Sequence, residues 1–228
     1  MGKFYPIQQI SPYFSVLLAL VACLIYIGYK SRLASLSLIF VYLLYSVVTD
    51  ILLTPFFLHF LNNPFIGSRI FTLIEFSLIG KFLFDNHDAK YKSRIFYPLS
   101  ILFFLSFFAD FIINYTDQFD SVATGVSSLI LLIFSIHLLY NKISSSTSIF
   151  KLDGIFILSS SFILYFSGTF FIYIFSSSYL DKESFKELYN IINSVVLIIR
   201  NSLIITSLFR YLKTYPQTSN IKNTLHFT

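Results

Sequence analysis

The stretch VATGVSSLILLIFSIHLLY, Val122 to Tyr140, decides the class of fold. It runs for nineteen residues without an Asp, Glu, Lys or Arg. At ~1.5 Å of rise per residue, a helix of that length covers roughly 30 Å, the hydrocarbon thickness of a bilayer. Further apolar runs lie on either side of it. Toward the N-terminus they are Tyr13–Tyr29, Leu33–Phe57, Ile70–Phe84 and Ile95–Ile113; toward the C-terminus, Ile155–Phe175 and Leu188–Leu212. The run at Ile70 is the shortest and holds Glu75 and Lys81, so its helix is expected to reach back to Ser68 and past Asp85. No strand alternation and no fixed-period repeat is visible. The connectors are short. The expected fold is all-α: a polytopic transmembrane bundle of about seven helices in a single domain over residues 1–212, with a flexible cytoplasmic tail over 213–228.

Composition agrees with that reading. Of 228 residues, 56% are hydrophobic and 12% charged, with a mean hydropathy of +0.75. Soluble domains carry about 25% charged residues, and half that density cannot cover a surface facing water. The chain has 29 Phe and 16 Tyr but no Trp. An interfacial aromatic belt must therefore come from tyrosines such as Tyr13, Tyr29, Tyr91, Tyr115, Tyr140, Tyr179 and Tyr211.

The formal net charge of +5 does not indicate nucleic acid. The basic residues stand at the ends of apolar runs instead of forming a stripe. With the N-terminus outside the cytoplasm, the inner segments hold Lys30 and Arg32, then Lys81, Lys90, Lys92 and Arg94, then Lys142 and Lys151, then Arg210, Lys213 and Lys222. The outer side keeps Lys3, Arg69, Lys182 and Lys186, the last two among acids. The positive-inside rule thus places the C-terminus in the cytoplasm, and a six-span arrangement would lose the alternation. Leu20-Val21-Ala22-Cys23 has the form of a lipoprotein cleavage box. The run stays apolar beyond Cys23, so it reads as a retained span. One cysteine allows neither an internal disulfide nor a multi-cysteine metal site.

Ionisable groups inside spans cost about 2.5–3.5 kcal/mol each at the bilayer centre, and they turn toward the bundle interior. Asp50, Glu75 and Arg200 are three such groups, each on a polar stripe at helical spacing. Tyr42, Ser46, Thr49 and Asp50 share one face; Ser68, Thr72 and Glu75 another; Asn190, Asn193, Ser194, Arg200 and Asn201 a third. Counting ~1.5 Å per residue from the span ends brings all three head groups to the outer half of the bilayer. A buried cluster of Arg200 with Asp50 and Glu75 is expected, supported by Asn193, Asn201 and Thr72. One acid would pair with Arg200. Desolvation and a like charge disfavour ionisation of the second, which would carry a proton or hold a cation. The cluster reads either as a lock between helices or as a ligand or ion site.

Other polar residues are weaker candidates. Asp110, near Asn114, Tyr115 and Asp117, reads as a solvated rim. His137 stands alone in its span, while His59, His87 and His226 lie in connectors or the tail without metal-ligand spacing. The serines of the sixth run, with Gly168, read as small residues that let helices approach. There is no phosphate loop, zinc motif or lysine in the last span for a retinal. Histidines that face each other in the bundle, as in haem or quinol carriers, are not expected. No cofactor and no metal is predicted.

Three segments carry a resemblance: Phe71-Thr72-Leu73-Ile74-Glu75-Phe76, Leu164-Tyr165-Phe166-Ser167-Gly168, and Asn190-Ile191-Ile192-Asn193 with Arg200-Asn201-Ser202-Leu203. Together they resemble a widespread group of uncharacterised small seven-helix integral membrane proteins of Bacteroidetes-type bacteria, some encoded near sensor histidine kinases. The resemblance covers most of the chain through short apolar motifs. It implies an acid in the third span and asparagines in the seventh, matched here by Glu75, Asn193 and Asn201. It also implies a multi-pass protein of the bacterial inner membrane with a sensory role. The expected function is receptor-like or sensor-accessory, with the bilayer, a signalling partner and a small ligand as partners. An ion- or proton-coupled small-molecule transporter is the alternative; the lack of an internal repeat and the scarcity of glycine or proline breaks within the spans speak against it. An intramembrane enzyme would need a nucleophile or metal cluster that the sequence lacks.

Overall fold

The computed structural model describes residues 5–53, 64–87, 92–113, 121–145, 153–176 and 182–214. Among these residues the chain is all-helical, with no strand. Seven helices follow in order: α1 (Tyr5–Gly28), α2 (Ser37–Val48), α3 (Pro64–Asp85), α4 (Tyr97–Ile113), α5 (Ser121–Ser145), α6 (Gly154–Ser176) and α7 (Lys182–Thr214). A 3-10 turn over Ala34–Leu36 leads into α2, and a π turn over Thr49–Leu53 ends it; a second π turn, Lys92–Phe96, leads into α4. The expected tail lies outside the described residues from 215 onward.

Six helices close a ring. α1 packs on α2, α2 on α3, α3 on α5, α5 on α6, α6 on α7, and α7 back on α1. The fourth helix stays outside. It rests on α5, and its Phe103 ring stacks on Phe76 of α3 at 3.8 Å. The α6–α7 contact is close because glycines face it. A Cβ on Gly168 would meet Val196 Cγ2 at 2.7 Å, and one on Gly154 would meet the Ser207 carbonyl at 2.7 Å. Small residues at such crossings let backbones approach where lipid supplies no hydrophobic drive between helices.

The surface is inverted relative to a water-soluble bundle. Leu24 is 67% exposed and Ile112 77%, whereas Arg200 is 1% and Glu75 5% exposed. Four helical segments are long and apolar enough to cross a membrane: Ala34–Ile51, Val122–Ser144, Gly154–Ile172 and Ile191–Lys213. Tyr13–Gly28 forms a shorter apolar helix. α3 carries Arg69, Glu75, Lys81 and Asp85, which lowers its apolar character, and α4 is only 17 residues long. Tyr13, Tyr29 and Tyr140 of the expected aromatic belt are exposed; Tyr91, Tyr115 and Tyr179 lie outside the described residues.

One end of the bundle gathers basic residues. Arg32 donates to the Leu212 carbonyl at 2.7 Å, and Ser35 bonds Tyr211. Lys142 pairs with Asp153 at 3.6 Å. Asp153 also caps α6, accepting the Phe156 N–H at 2.7 Å. Ser207 ties α7 to the Gly154 carbonyl at 2.6 Å. The His87 ring, just past α3, stacks on His137 of α5. These contacts bring the ends of α1, α3, α5 and α7 and the starts of α2 and α6 together at the basic end.

Candidate functional site

The interior divides in depth. Toward the basic end it is packed with Leu36, Ile39, Ile79, Phe82, Leu83, Phe134, Leu138, Leu158, Phe162, Ile204 and Leu208. Serines on that side bond backbone carbonyls: Ser135 that of Leu131, Ser159 that of Ile155, Ser161 that of Arg200. Such bonds let a hydroxyl sit in an apolar layer. Toward the opposite end the buried residues include Thr49, Thr72, Thr124, Ser127, Ser128, Thr169 and Ser194, with Arg69 and Asp110. Thr72 meets Thr124 at 3.3 Å, and Thr169 bonds Ser128 at 3.4 Å.

Between the two halves lies a continuous hydrogen-bond network. The Tyr42 hydroxyl donates to Glu75 Oε1 at 2.7 Å and accepts from Arg200 Nη1. The Tyr165 hydroxyl donates to the same Oε1 at 2.9 Å. Arg200 Nε donates to Asn201 Oδ1 at 3.0 Å, and Asn201 Nδ2 donates to the Ser15 carbonyl at 2.9 Å and hydroxyl at 3.2 Å. The guanidinium lies close to two rings, its Cζ 4.6 Å from the centroid of Tyr165 and 5.1 Å from that of Tyr42. Five helices contribute: α1, α2, α3, α6 and α7. Glu75, Tyr165, Ser15 and Arg200 stand 10 to 14 residues from the basic ends of their helices. That is about 15–21 Å of rise, near the middle of a 30 Å hydrocarbon layer.

No family model, no curated protein and no solved structure matches this chain.

Glu75, Arg200 and Asn201 thus come together, but the acid and the guanidinium do not pair directly: Tyr42 stands between them. Thr72 lies one turn away from Glu75, on the hydroxyl-rich side. Asn193 is half-buried, two turns from Arg200 along α7. Asp50 departs from the expected cluster. Its side chain is exposed, although it remains close enough to interact electrostatically with Arg200. The cause is local. Asp50 falls in the π turn, where i→i+5 bonding breaks the 100° register that carried Tyr42, Ser46 and Thr49 inward. The side chain of Asn190 lies outside the described residues.

Two further expectations are corrected. Asp110 is buried, 4% exposed, and not a solvated rim; α4 turns it toward the neighbouring helices while Ile112 faces outward. His87 and His137 do face each other, with ring centroids 5.0 Å apart and planes 12° from parallel. His87 lies near Phe134 as well and bonds the Leu83 carbonyl through Nδ1 at 2.7 Å. α3 and α5 are not consecutive, so their adjacency could not be read from spacing. Among the described residues no group of three metal-ligating side chains occurs. Tyr42, Tyr165 and Ser15 were missed as site residues. Tyr42 was legible on the stripe that carries Asp50; Tyr165 stood in a motif without chemistry, and nothing marked Ser15.

Proposed function

We propose that this chain is a receptor-like or sensor-accessory protein of the bacterial inner membrane, crossing it seven times with the N-terminus outside and the C-terminus in the cytoplasm. One observation carries the reading. On one side of the Tyr42–Glu75–Arg200 layer lie the buried Thr49, Thr72, Thr124 and Thr169 with Arg69 and Asp110; on the other the buried residues are apolar apart from serines such as Ser135, Ser159 and Ser207, whose hydroxyls bond backbone carbonyls. With the basic end assigned to the cytoplasm by the positive-inside rule, the polar half is the one that faces outward. A small hydrophilic ligand reaching that layer would meet a network that ties five helices. A shift in the network would be felt at the basic end, where Arg32 and Ser35, between α1 and α2, bond Leu212 and Tyr211 of α7. The resemblance to small seven-helix proteins encoded near histidine kinases supports a separate signalling partner.

The alternative is an ion- or proton-coupled transporter. The specific feature in its favour is a buried acid and a buried base joined through one hydroxyl. Proteoliposomes decide between the two. The receptor reading expects an imposed pH gradient to decay as in empty vesicles, and a histidine kinase to co-purify with the protein. A faster decay that Glu75→Gln abolishes would replace it with the transporter. Orientation is tested by placing single cysteines at Lys3 and Lys222 in a Cys23→Ser background. Impermeant maleimide should label whole cells only at position 3.

A further inference from the structure

The way Arg200 is held leaves part of it unused. A guanidinium offers five N–H donors in a planar fork. The Tyr42 and Tyr165 rings lie against it, their centroids 5.1 and 4.6 Å from Cζ. Nε is committed to Asn201 and one Nη1 hydrogen to Tyr42. Among the described residues the remaining N–H groups, those of the Nη1–Nη2 edge, make no hydrogen bond, in a residue 1% exposed. That edge is the one that takes a carboxylate bidentately. Glu75 shows the complementary situation: both phenols bond Oε1, and Oε2 accepts nothing from a described residue. Ser127, on the hydroxyl-rich side, is 1% exposed, and its hydroxyl has no hydrogen-bond partner among the described residues.

We propose that the open edge of Arg200 is a binding site for a small carboxylate, whose entry from the polar half is coupled to protonation of Glu75. This rests on the outward-facing assignment of the polar half only for the route of entry. The coupling follows from charge balance. In the empty site the Glu75 carboxylate neutralises Arg200 through Tyr42. A carboxylate arriving at Arg200 brings a second negative charge into a site that water does not screen. A proton from the outer solution, taken on Oε2, restores neutrality, forms one O–H bond and leaves the phenol bonds to Oε1 in place. The titratable and charged groups around Glu75 are Tyr42 and Tyr45 of α2, Tyr165 of α6 and Arg200 of α7, with Asp50 acting on Arg200 from the π turn. Tyrosine and arginine ordinarily titrate at about 10 and above, so the carboxyl groups are the ones left to take up the proton, and Asp50 is the exposed one.

Acetate is the probe, with acetamide as its neutral isostere. Binding is read as the acetate-dependent rise in unfolding temperature of the purified full chain, reported by a thiol dye on the buried Cys23. Wild type is expected to bind acetate about 5–100-fold more tightly near pH 6 than near pH 8, the upper bound being the tenfold per pH unit that one coupled proton allows. Glu75→Gln should bind acetate at both pH values with equal affinity. Arg200→Gln should not respond. If that variant does not fold, Glu75→Gln/Arg200→Gln, which removes both charges, serves in its place and should show no response. Equal stabilisation by acetamide, or an unchanged pH dependence in Glu75→Gln, overturns the proposal. The receptor reading fails separately, on the proton flux, whatever acetate does.

Discussion

Glu75 and Arg200 share one oxygen. The Tyr42 hydroxyl accepts from the guanidinium and donates to the carboxylate, so two opposite charges on α3 and α7 are joined through a phenol on α2. A relayed pair of this kind depends on the relay as much as on the charges. Hydrogen bonds to charged groups contribute about 1.5–3 kcal/mol, and an unmatched buried partner costs more than an absent one.

Tyr42→Phe removes two such bonds and Tyr165→Phe one. Tyr42→Phe should therefore destabilise the protein by about 1.5–3 kcal/mol more than Tyr165→Phe. Unfolding in mixed micelles, followed by Cys23 labelling, measures both. Equal losses would mean that the Tyr42 hydroxyl does not bridge.

A double-mutant cycle between Glu75→Gln and Arg200→Gln should give a coupling of about 0.5–3 kcal/mol. Repeated in the Tyr42→Phe background, the coupling should collapse. Persistence of the full coupling there would show direct attraction between the two charges.

The glycines separate by position. Gly154→Ala places a methyl 2.7 Å from a backbone carbonyl and 2.8 Å from Tyr211 Cβ, neither of which can turn away. Its loss of stability should be measurable, in the range of about 1–3 kcal/mol for overpacking. Gly125 has nothing within 4 Å of an added Cβ. Gly125→Ala should be neutral or stabilising by up to ~1 kcal/mol, the helix-propensity difference. The same unfolding assay compares them.

Leu105 is 64% exposed on the outer face of α4. With lipid around it, Leu105→Arg should cost about 2.5–3.5 kcal/mol of insertion. A glycosylation-site reporter of membrane integration measures that loss. Undiminished integration would mean that this face does not meet hydrocarbon.

Much of the fold was legible because lipid imposes a simple rule on sequence. Long runs without charge read directly as helices, and all seven described helices overlap the runs read from the sequence. Glu75 and Arg200 stood out because an ionised group in such a run must turn inward. What spacing could not supply was lateral arrangement. That α4 sits outside the ring, and α3 beside α5, depends on ring stacking such as Phe76 on Phe103, which leaves no periodic trace. The histidine pair was hidden for the same reason. Asp50 was misplaced because a π turn obeys no 100° wheel, and Tyr42 was underrated because a tyrosine in an apolar run looks like packing.

The closure of the ring by its last helix bears on how the chain is made. Glu75 and Arg200 are 125 residues apart. At about 5–20 residues per second, a ribosome delivers the acid some 6–25 s before its counter-charge. Through that interval α3 carries a carboxyl group whose counter-charge has not yet been made. A nascent chain stopped before α7 would carry that acid without the guanidinium that the finished fold sets beside it.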